Sequence, residues 1–450
     1  MTFESILATW LAKQRWFAGK GRTVHDLAIV ADTEIVSATH GGQGPSMRHL
    51  IVCVSHGTTV DSYQLFLGLR TELPDELKHV EMGHLDGRYV YDGLHDSELT
   101  IPLLDAIRAG EANGPLRFCP IPGQKIPAET DSLVLTAEQS NTSLVFGESA
   151  ILKVFRRLAP GPNPDLEVAA ALAKLGSEHI AEPYGWIETR MEGATTVLAI
   201  LSRYLRAASD GWSLAATSVR DLYASIGQTS AADAGGDFAG EAERLGVATA
   251  QVHADLADAF GTSELAPEAI RDMAEQMYRR LDLAIAAVPE LARYGDMIGS
   301  GYSDLAKLNE AVPAQRVHGD YHLGQVMRTQ TGWVVLDFEG EPASPLAQRR
   351  ARSSPLRDVA GMLRSFDYAA RHQLLNNPDQ IRLSVAASEW VRRNTQSFCA
   401  GYAAAGGQDP QENAVLLKAL ALDKAVYEVM YEARHRPSWL PIPLESLAEF

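Results

Sequence analysis

The pattern of apolar residues changes once along this 450-residue chain, close to Leu214. From there to the end, apolar residues recur with the spacing of amphipathic helices. Before that point, β-branched and alternating segments are separated by Gly, Pro and Asn, which predicts short strands and turns. The helical pattern is interrupted at one place, between about Val317 and Pro342. A sheet-rich part followed by a helical part predicts an α+β fold.

The sheet-rich part divides further at a stretch that is rich in Pro and Gly, "ANGPLRFCPIPGQKIP", which we interpret as a connection. Before it, alternating runs predict strands between residues 26 and 69 and a helix from Ser97 to Ala109. After it, "DSLVLTAEQSNTSLVFGESAILKVFRR" predicts an antiparallel meander, and a helix follows with Asn163 as N-cap and Pro164 at its first position. We therefore predict three domains, at residues 1–125, 126–206 and 207–450.

Composition limits the possible partners. The chain has 40 basic and 57 acidic residues and a net charge of −17, so it lacks the concentrated basic face that nucleic acids and anionic membranes require. Its cysteines, Cys53, Cys119 and Cys399, form no CxxC pair, which does not favour a disulfide framework or a zinc cluster. No run of about 18 uncharged apolar residues is present. We expect a soluble, cytoplasmic protein with no nucleic-acid or membrane partner.

Two acidic motifs, "VHGDYHLGQV" and "VLDFEGEP", interrupt the helical part. In protein kinases the catalytic loop has the order H-R-D-x-x-x-x-N, in which the Asp accepts the proton of the substrate hydroxyl and the amide holds a metal ion. His318, Asp320 and Gln325 reproduce that spacing, with Gln in place of Asn. Asp337 follows the apolar run "GWVVL", where a kinase has its second metal-binding Asp. The spacing predicts Asp320 as catalytic base and Gln325 and Asp337 as Mg²⁺ ligands.

The sheet-rich part supplies candidate nucleotide-binding residues in kinase order. Lys153 lies in the third strand of the meander, where a kinase lysine pairs with the phosphates, and Glu167 on the next helix is its expected acidic partner. Tyr204 is assigned to the nucleotide hinge by its order alone. With the motifs at Asp320 and Asp337, these residues predict ATP and Mg²⁺ as cofactors.

The loop before Lys153 would cover the phosphates. It has no G-x-G-x-x-G pattern, so small polar side chains and backbone N–H groups would have to do so. A plain hairpin loop is the alternative interpretation, although its position ahead of Lys153 favours the phosphate loop. The candidate loop residues are Gln139, Ser140, Asn141, Thr142 and Ser143.

Long segments of the chain resemble the bacterial maltokinases, among them "EQSNTSLVF", "AILKVFRR", "VHGDYHLGQV", "LDFEGEP" and "DKAVYEVMYEARHRPSWLPIPL". The resemblance implies a bilobal fold like that of eukaryotic protein kinases and aminoglycoside phosphotransferases, with an additional N-terminal β-rich cap domain. It also implies phosphoryl transfer from ATP to a sugar hydroxyl, with maltose as acceptor and maltose 1-phosphate as product.

Related kinases phosphorylate other sugars, so the alternative is a glucosamine or other hexose kinase that forms the 6-phosphate. A pseudokinase scaffold that regulates a partner is a third hypothesis, but it predicts decay of the kinase residues, which are intact. Contact with an enzyme of the α-glucan pathway is a further expectation.

The C-terminal motif has two interpretations. Lys424, Glu428 and Glu432 lie four residues apart, as do Tyr427 and Tyr431, which is typical of a solvated, salt-bridged helix face beside a packed aromatic stripe. The same residues could bind a sugar, because carboxylates accept hydroxyl hydrogens and aromatic rings cover apolar C–H patches. The resemblance favours the second interpretation. The predicted sugar-binding residues are His322, Lys424, Tyr427, Glu428, Tyr431, Glu432 and Trp439.

Two further polar residues have structural alternatives. His322 lies four positions after His318, but no HExxH motif or third ligand accompanies them, so hydrogen bonding is favoured over zinc binding. Asp358, in "SPLRDVAG", either caps a helix or braces the catalytic loop, and the sequence leaves both roles open.

Overall fold

The computed structural model describes the chain apart from residues 1, 20–23, 25, 39–43, 57–58, 136–139, 226–229, 233–235, 343, 376 and 378. It contains two compact units. Unit 1 comprises Met1–Glu167 and Ala181–Arg206, and unit 2 comprises Val168–Ile180 and Ala207–Phe450. Unit 1 is rich in sheet and unit 2 in helix, so the α+β prediction is confirmed. The bounds of the three predicted domains stay predictions. Within the described residues, no helix has both the length and the apolar content needed to cross a membrane.

Unit 1 is built from antiparallel strands and a few helices. Its strands are β1 (Asp26–Val36), β2 (Ser46–His56), β3 (Thr59–Arg70), β4 (Glu81–Leu85), β5 (Arg88–Asp92), β6 (Ala112–Asn113), β7 (Leu116–Pro120), β8 (Ser132–Leu135), β9 (Thr142–Phe146), β10 (Ala150–Val154), β11 (Arg157–Leu158), β12 (Pro183–Met191) and β13 (Ala194–Arg203). Its helices are α1 (Phe3–Leu11) and α2 (Ser97–Ala109), and α3 (Pro164–Leu175) begins in unit 1 and ends in unit 2.

The first sheet of unit 1 has the order β1-β2-β3-β5-β4, and β11 pairs with β3. Alternation along β2 places Leu50, Val52 and Val54 on one face, where they are buried in a core that includes Leu7 and Trp10 of α1. The predicted strands between residues 26 and 69 and the predicted helix at α2 are therefore confirmed.

The second sheet has the order β6-β7-β12-β13-β10-β9-β8. Its first two strands lie in the stretch predicted as a connection, so that prediction was wrong. Pro120 is the last residue of β7, where the missing N–H is tolerated. Lys153, in β10, lies opposite Ser143 of β9 and Ile200 of β13. The predicted meander is confirmed by this register.

Buried polar side chains join the two sheets of unit 1. Gln64 of β3 donates from Nε2 to the carbonyl oxygens of Phe155 (2.7 Å) and Leu198 (2.6 Å). The fully buried Arg156 donates from Nη2 to Asp92 Oδ2 and from Nε to Thr142 Oγ1, the latter at 2.8 Å. Because unpaired buried polar groups are costly, these bonds hold the two sheets in one register.

Unit 2 is mainly helical. Its helices are α4 (Gly211–Ala224), α5 (Ala239–Phe260), α6 (Pro267–Ala287), α7 (Gly295–Ala306), α8 (Leu346–Arg349), α9 (Leu356–Arg371), α10 (Gln380–Ala404), α11 (Ala414–His435) and α12 (Pro441–Ser446). Its strands are β14 (Ser209–Asp210), β15 (Thr262–Leu265), β16 (Val312–Gln315), β17 (Val326–Arg328) and β18 (Trp333–Val335).

Close packing of α5 and α10 forms part of the core of unit 2. A Cβ atom at Gly246 would collide with the Phe398 carbonyl, and one at Gly401 would collide with the Glu243 carbonyl, so glycine is required at both crossings. Trp390 is buried in the same core. On this scaffold, the segment between β16 and β17 carries the first acidic motif.

Candidate active site

The β17–β18 hairpin brings the two predicted metal ligands together. Val326 pairs with Val335, and Leu336 N donates to Gln325 O at 2.8 Å. Gln325 and Asp337 therefore flank the hairpin, and Gln325 Nε2 donates to Asp337 Oδ2 at 3.2 Å. Asp337 has φ of 64°, a left-handed conformation that non-glycine residues rarely adopt and that is often found at functional sites.

The loop that carries Asp320 is held by His318 and Asp358. His318 Nε2 donates to Leu336 O at 2.8 Å, and its Nδ1 accepts from Asp320 N at 3.3 Å. The buried Asp358 carboxylate accepts from His318 N (2.7 Å) and Gly319 N (2.8 Å). At the N-terminus of α9, the Leu356 N–H is bound by Ser354 Oγ at 3.2 Å, and the Asp358 carboxylate is bound by the loop and by His253. Of its two possible roles, Asp358 therefore braces the loop that carries Asp320.

Asp358 also has a histidine neighbour. His253 Nε2 donates to Asp358 Oδ2 at 3.1 Å, and its Nδ1 lies 2.9 Å from the Tyr402 hydroxyl. Burial alone would raise the pKa of Asp358, but the hydrogen bond from His253 and the backbone N–H of Gly319 lower it below its ordinary value. The carboxylate is therefore kept ionised under the loop.

Helix α11 brings a lysine to the predicted base. Lys424 Nζ lies 3.4 Å from Asp320 Oδ1 and 3.7 Å from Glu341 Oε2, and Tyr427 donates to Glu341 Oε1 at 2.9 Å. Burial would lower the pKa of Lys424, but Asp320, Glu341 and Glu428 together raise it. We call Asp320, Glu341, Lys424, Tyr427 and Glu428 the acceptor cluster.

Glu428, one turn after Lys424, is bound by a buried arginine. Arg364 donates to Glu428 Oε2 from Nε (2.9 Å) and Nη2 (2.7 Å). Burial raises the pKa of Glu428, and Arg364 opposes that shift. The two bonds hold the Glu428 carboxylate beside Lys424 on the same helix.

The remaining residues of the C-terminal motif, Tyr431, Glu432 and Trp439, lie outside the acceptor cluster. Glu432 is buried and accepts from Arg436 (2.9 and 2.6 Å) and from Tyr368 (3.2 Å), so its carboxylate is fully engaged within the helical unit. Tyr431 is 37% exposed and stacks on Tyr427 with a centroid distance of 6.2 Å. Arg436 lies over the Trp439 ring at 4.5 Å. Sugar binding by Tyr431, Glu432 and Trp439 stays a prediction.

His322 has a local structural role. Its Nδ1 accepts from Gly324 N at 3.1 Å and so caps the short turn Leu323–Gln325 that leads to β17. Burial lowers its pKa, while the nearby Asp320 acts in the opposite direction. The favoured hydrogen-bonding interpretation agrees with this contact, and a role in sugar binding stays a prediction.

In unit 1, Lys153 Nζ lies 3.0 Å from Asp165 Oδ2. Asp165 is in the first turn of α3, two positions before Glu167, the partner that the sequence predicted. The sequence analysis missed Asp165, although an acid just after the Asn163–Pro164 helix start was a visible signal. The role of Glu167 stays a prediction.

The candidate phosphate loop is described in part. Gln139 lies outside the described residues, Ser140 is exposed, and Asn141 precedes β9. Thr142 and Ser143 are buried in β9. Tyr204 donates from its backbone N–H to Ser149 O at 2.9 Å, directly after β13. These nucleotide assignments stay predictions.

Two residues of unit 2 were also missed. Glu341 lies in "LDFEGEP", four positions after Asp337, so its proximity to the site was readable. Arg364 gave no such signal, because an arginine on an amphipathic helix is usually solvated. Only the packing of α9 against α11 shows that it is buried.

Comparison with known proteins identifies the family. Residues 10–96 match the family model of the maltokinase N-terminal cap domain. Over 333 residues, the chain is 33% identical to a glucosamine kinase of Streptacidiphilus jiangxiensis, a match that covers 70% of this chain and 72% of the relative. A glucosamine kinase of Mycolicibacterium smegmatis is 29% identical over 321 residues, with coverages of 69% and 77%.

The solved structure of a glucosamine kinase in complex with glucosamine, ADP and inorganic phosphate has the same fold. It superimposes with a TM-score of 0.68 at 24% identity and covers 100% of this chain and 99% of the other. The expected kinase-like fold with an N-terminal cap is therefore confirmed. The chain belongs to the family of these glucosamine kinases, and it is a sugar kinase, an ATP:sugar phosphotransferase with a maltokinase-type cap.

Proposed function

We propose that this sugar kinase uses Mg²⁺ and ATP to phosphorylate a neutral glucose-derived sugar, with maltose as the first candidate and maltose 1-phosphate as product. The observation that carries the choice of a neutral acceptor is the ammonium group of Lys424, which lies 3.4 Å from Asp320 Oδ1 and 3.7 Å from Glu341 Oε2. Nearby, Glu428 binds Arg364, and Glu432 binds Arg436.

An acceptor that carries an ammonium group, such as glucosamine, would bring a second positive charge close to Lys424, and like charges at such distances repel. A neutral sugar avoids this repulsion. The stacked rings of Tyr427 and Tyr431 offer surfaces for the apolar faces of its rings.

Gln325 and Asp337 fit a Mg²⁺ site, because an amide and a carboxylate are hard oxygen ligands and a hydrogen bond joins these two side chains. When bound, Mg²⁺ neutralises charge on the transferring phosphoryl group. On the nucleotide side, Lys153 supplies a positive charge to the phosphates, and Asp165 orients the lysine. Asp320 orients the acceptor hydroxyl and takes its proton.

Lys424 contributes to the position of that base. At 3.4 Å from Asp320 Oδ1, it restrains one carboxylate oxygen, which leaves the other for the hydroxyl proton. Glu341 in turn holds the lysine, and Tyr427 donates a hydrogen bond to Glu341. The acceptor cluster thereby fixes the base before substrate binds, which reduces the entropic cost of reaching the reactive geometry.

Glucosamine is the second candidate, with glucosamine 6-phosphate as product. It is favoured by the relatives of known activity, since both glucosamine kinases match more than two thirds of this chain. In that case the acceptor ammonium would bind beside Lys424, at the carboxylates of Asp320 and Glu341, which share that one lysine.

An ADP-release assay with maltose, glucose, glucosamine, trehalose and kanamycin decides between the two, followed by NMR assignment of the phosphorylated carbon. We expect maltose to give a kcat/KM at least about 10-fold above that of glucosamine, which corresponds to about 1.4 kcal/mol of transition-state discrimination. Activity confined to glucosamine would overturn the first candidate and leave the second. Turnover of kanamycin alone would contradict both.

Two expectations about the cellular setting stay predictions. One is contact with an enzyme of the α-glucan pathway, which co-purification with the enzyme that consumes the product would test. The other is a cytoplasmic location, which fractionation of the source cells would test.

A further inference from the structure

A buried arginine lies behind the acceptor cluster. The Arg364 side chain is 4% exposed and comes from α9, whereas the carboxylate that it binds, Glu428, comes from α11. Both of its bonds to Glu428 reach the same oxygen, Oε2. The other carboxylate oxygen of Glu428 is therefore not used by Arg364 and can accept a hydrogen bond from a sugar hydroxyl.

Arg364 is held in turn by two other groups. Its Nη1 donates to Ser446 Oγ at 2.7 Å and to Asp367 Oδ2 at 3.3 Å. Asp367 accepts a second bond on Oδ1 from Arg371 (2.7 Å), and Arg371 also binds Glu449. The C-terminal segment Pro441–Glu449 is thus tied to Arg364 directly at Ser446 and, through Arg371 and Asp367, indirectly at Glu449.

The chemistry of this network points to orientation of a carboxylate. A buried charge is tolerated only when it is paired, and a planar guanidinium fixes the direction of the carboxylate that it binds. Without Arg364, burial would raise the pKa of Glu428 further and favour its neutral, differently oriented form. Lys424, whose pKa is raised in part by Glu428, would lose one of its stabilising charges.

We infer that Arg364 is a positioning residue for the acceptor site: it orients Glu428 toward the sugar, and the C-terminal segment sets the position of Arg364 through Ser446. This inference rests on the proposed function, because it assumes that Glu428 meets the acceptor. Ser446, at the end of α12, would therefore affect the affinity for the acceptor. Neither motif spacing nor helix periodicity indicates such an effect.

The test uses Arg364→Lys, Glu428→Gln and the double variant, with steady-state kinetics for the best acceptor and for ATP. Arg364→Lys keeps the charge but loses the fork, so we expect the acceptor KM to rise about 10-fold while the ATP KM changes less than about twofold. In the Glu428→Gln background, Arg364→Lys should add less than about twofold, because both changes remove one interaction.

Arg280→Lys is the matched control. Arg280 also makes two bonds to an acid of α11, next to Lys424 in sequence: its Nε donates to Asp423 Oδ1 at 2.9 Å and its Nη2 to Asp423 Oδ2 at 2.8 Å. We expect this variant to leave both KM values within about twofold. Ser446→Ala is a milder second variant, for use if Arg364→Lys does not fold. It removes one contact of Arg364, and we expect it to raise the acceptor KM about threefold.

The outcomes are distinguishable. Equal effects of Arg364→Lys and Arg280→Lys on the acceptor KM, or effects of Arg364→Lys and Glu428→Gln that multiply in the double variant, would overturn the positioning role while the kinase stands. A wild-type chain with no turnover of any sugar would overturn the proposed function, and this inference with it.

Discussion

Each unit places a lysine against an aspartate, but the two pairs arise in different ways. In unit 1, Lys153 meets Asp165, which is 12 positions away, at 3.0 Å. In unit 2, Lys424 meets Asp320, which is 104 positions away, at 3.4 Å. The first pair joins a strand to the helix that follows it, whereas the second needs α11 to return to a loop made much earlier.

The surroundings of the two lysines differ as well. Lys153 lies in a strand whose neighbours on both sides are fixed by backbone register. Lys424 is set among the side chains of the acceptor cluster, where several carboxylates together raise its pKa. Sheet register determines the position of Lys153, and side-chain packing determines the position of Lys424. We therefore expect substitutions of the first to affect ATP and substitutions of the second to affect the sugar.

Replacing the base should have the largest effect. In Asp320→Asn, the amide cannot accept the hydroxyl proton, so we expect kcat to fall by about 100-fold or more while nucleotide affinity changes less than about twofold. Steady-state kinetics and nucleotide titration measure the two quantities. Asp304→Asn, in an exposed pair with Lys307, is the control and should retain full activity. Near-wild-type turnover of Asp320→Asn would contradict the base assignment.

The next largest effect is expected on the nucleotide side. Lys153→Met removes the charge beside Asp165, and we expect kcat/KM for ATP to fall about 50-fold with the acceptor KM within about twofold. Lys307→Met serves as the exposed-lysine control. If Lys153→Met changed the acceptor KM and left ATP unaffected, the division of roles between the two lysines would be wrong.

The brace under the loop of Asp320 predicts a pH-dependent loss of stability. Asp358→Asn weakens bonds to His253 and to two backbone N–H groups, so we expect the free energy of unfolding to drop by about 2–3 kcal/mol at pH 7. Because the pKa of Asp358 is lowered in the folded chain, its contribution is complete above its ordinary value and is lost as the pH falls through the lowered one.

Thermal unfolding of the wild type and of Asp358→Asn between pH 7 and pH 3 measures the contribution of Asp358 to the free energy of unfolding. The deficit of the variant should be constant down to about pH 4 and should shrink below it. A deficit that grows on acidification would show that Asp358 is not a stabilising carboxylate.

Lys424→Gln tests whether Lys424 discriminates between acceptor sugars. The variant removes the ammonium but keeps a polar side chain near Asp320, so the repulsion of an amino sugar should disappear. We expect the ratio of kcat/KM for maltose over glucosamine to fall about 10-fold, with the ATP KM within about twofold. An unchanged ratio would mean that Lys424 does not select the acceptor.

The smallest effect is expected at the rim of the cluster. Tyr431→Ala removes a ring stacked on Tyr427, and we expect the acceptor KM to rise about threefold. Tyr278→Ala is the matched control, because Tyr278 is also 37% exposed and its hydroxyl binds Gly299 O. Equal changes in the two variants would leave Tyr431 without a role in sugar binding.

Short-range patterns were sufficient for much of the fold. The strand that carries Lys153, the helix that begins at Pro164 and the hairpin that joins Gln325 to Asp337 each depend on residues close in the chain, where spacing and turn chemistry decide the structure. The two short strands of the Pro-rich stretch were missed, because β7 joins the sheet through a distant partner: Phe118 lies opposite Ile187 of β12, nearly 70 residues later.

The order and spacing of Lys153, Asp320 and Asp337 were readable from the sequence alone, and they predicted the class of reaction that the relatives confirm. Tertiary structure decided which charges face one another: Asp165 against Lys153, Asp358 under the catalytic loop, and Arg364 behind Glu428. A charged side chain pairs with the groups of opposite charge that packing of the core places within a few ångströms of it. Residues far apart in the chain meet only when whole helices dock, and no local periodicity encodes that docking.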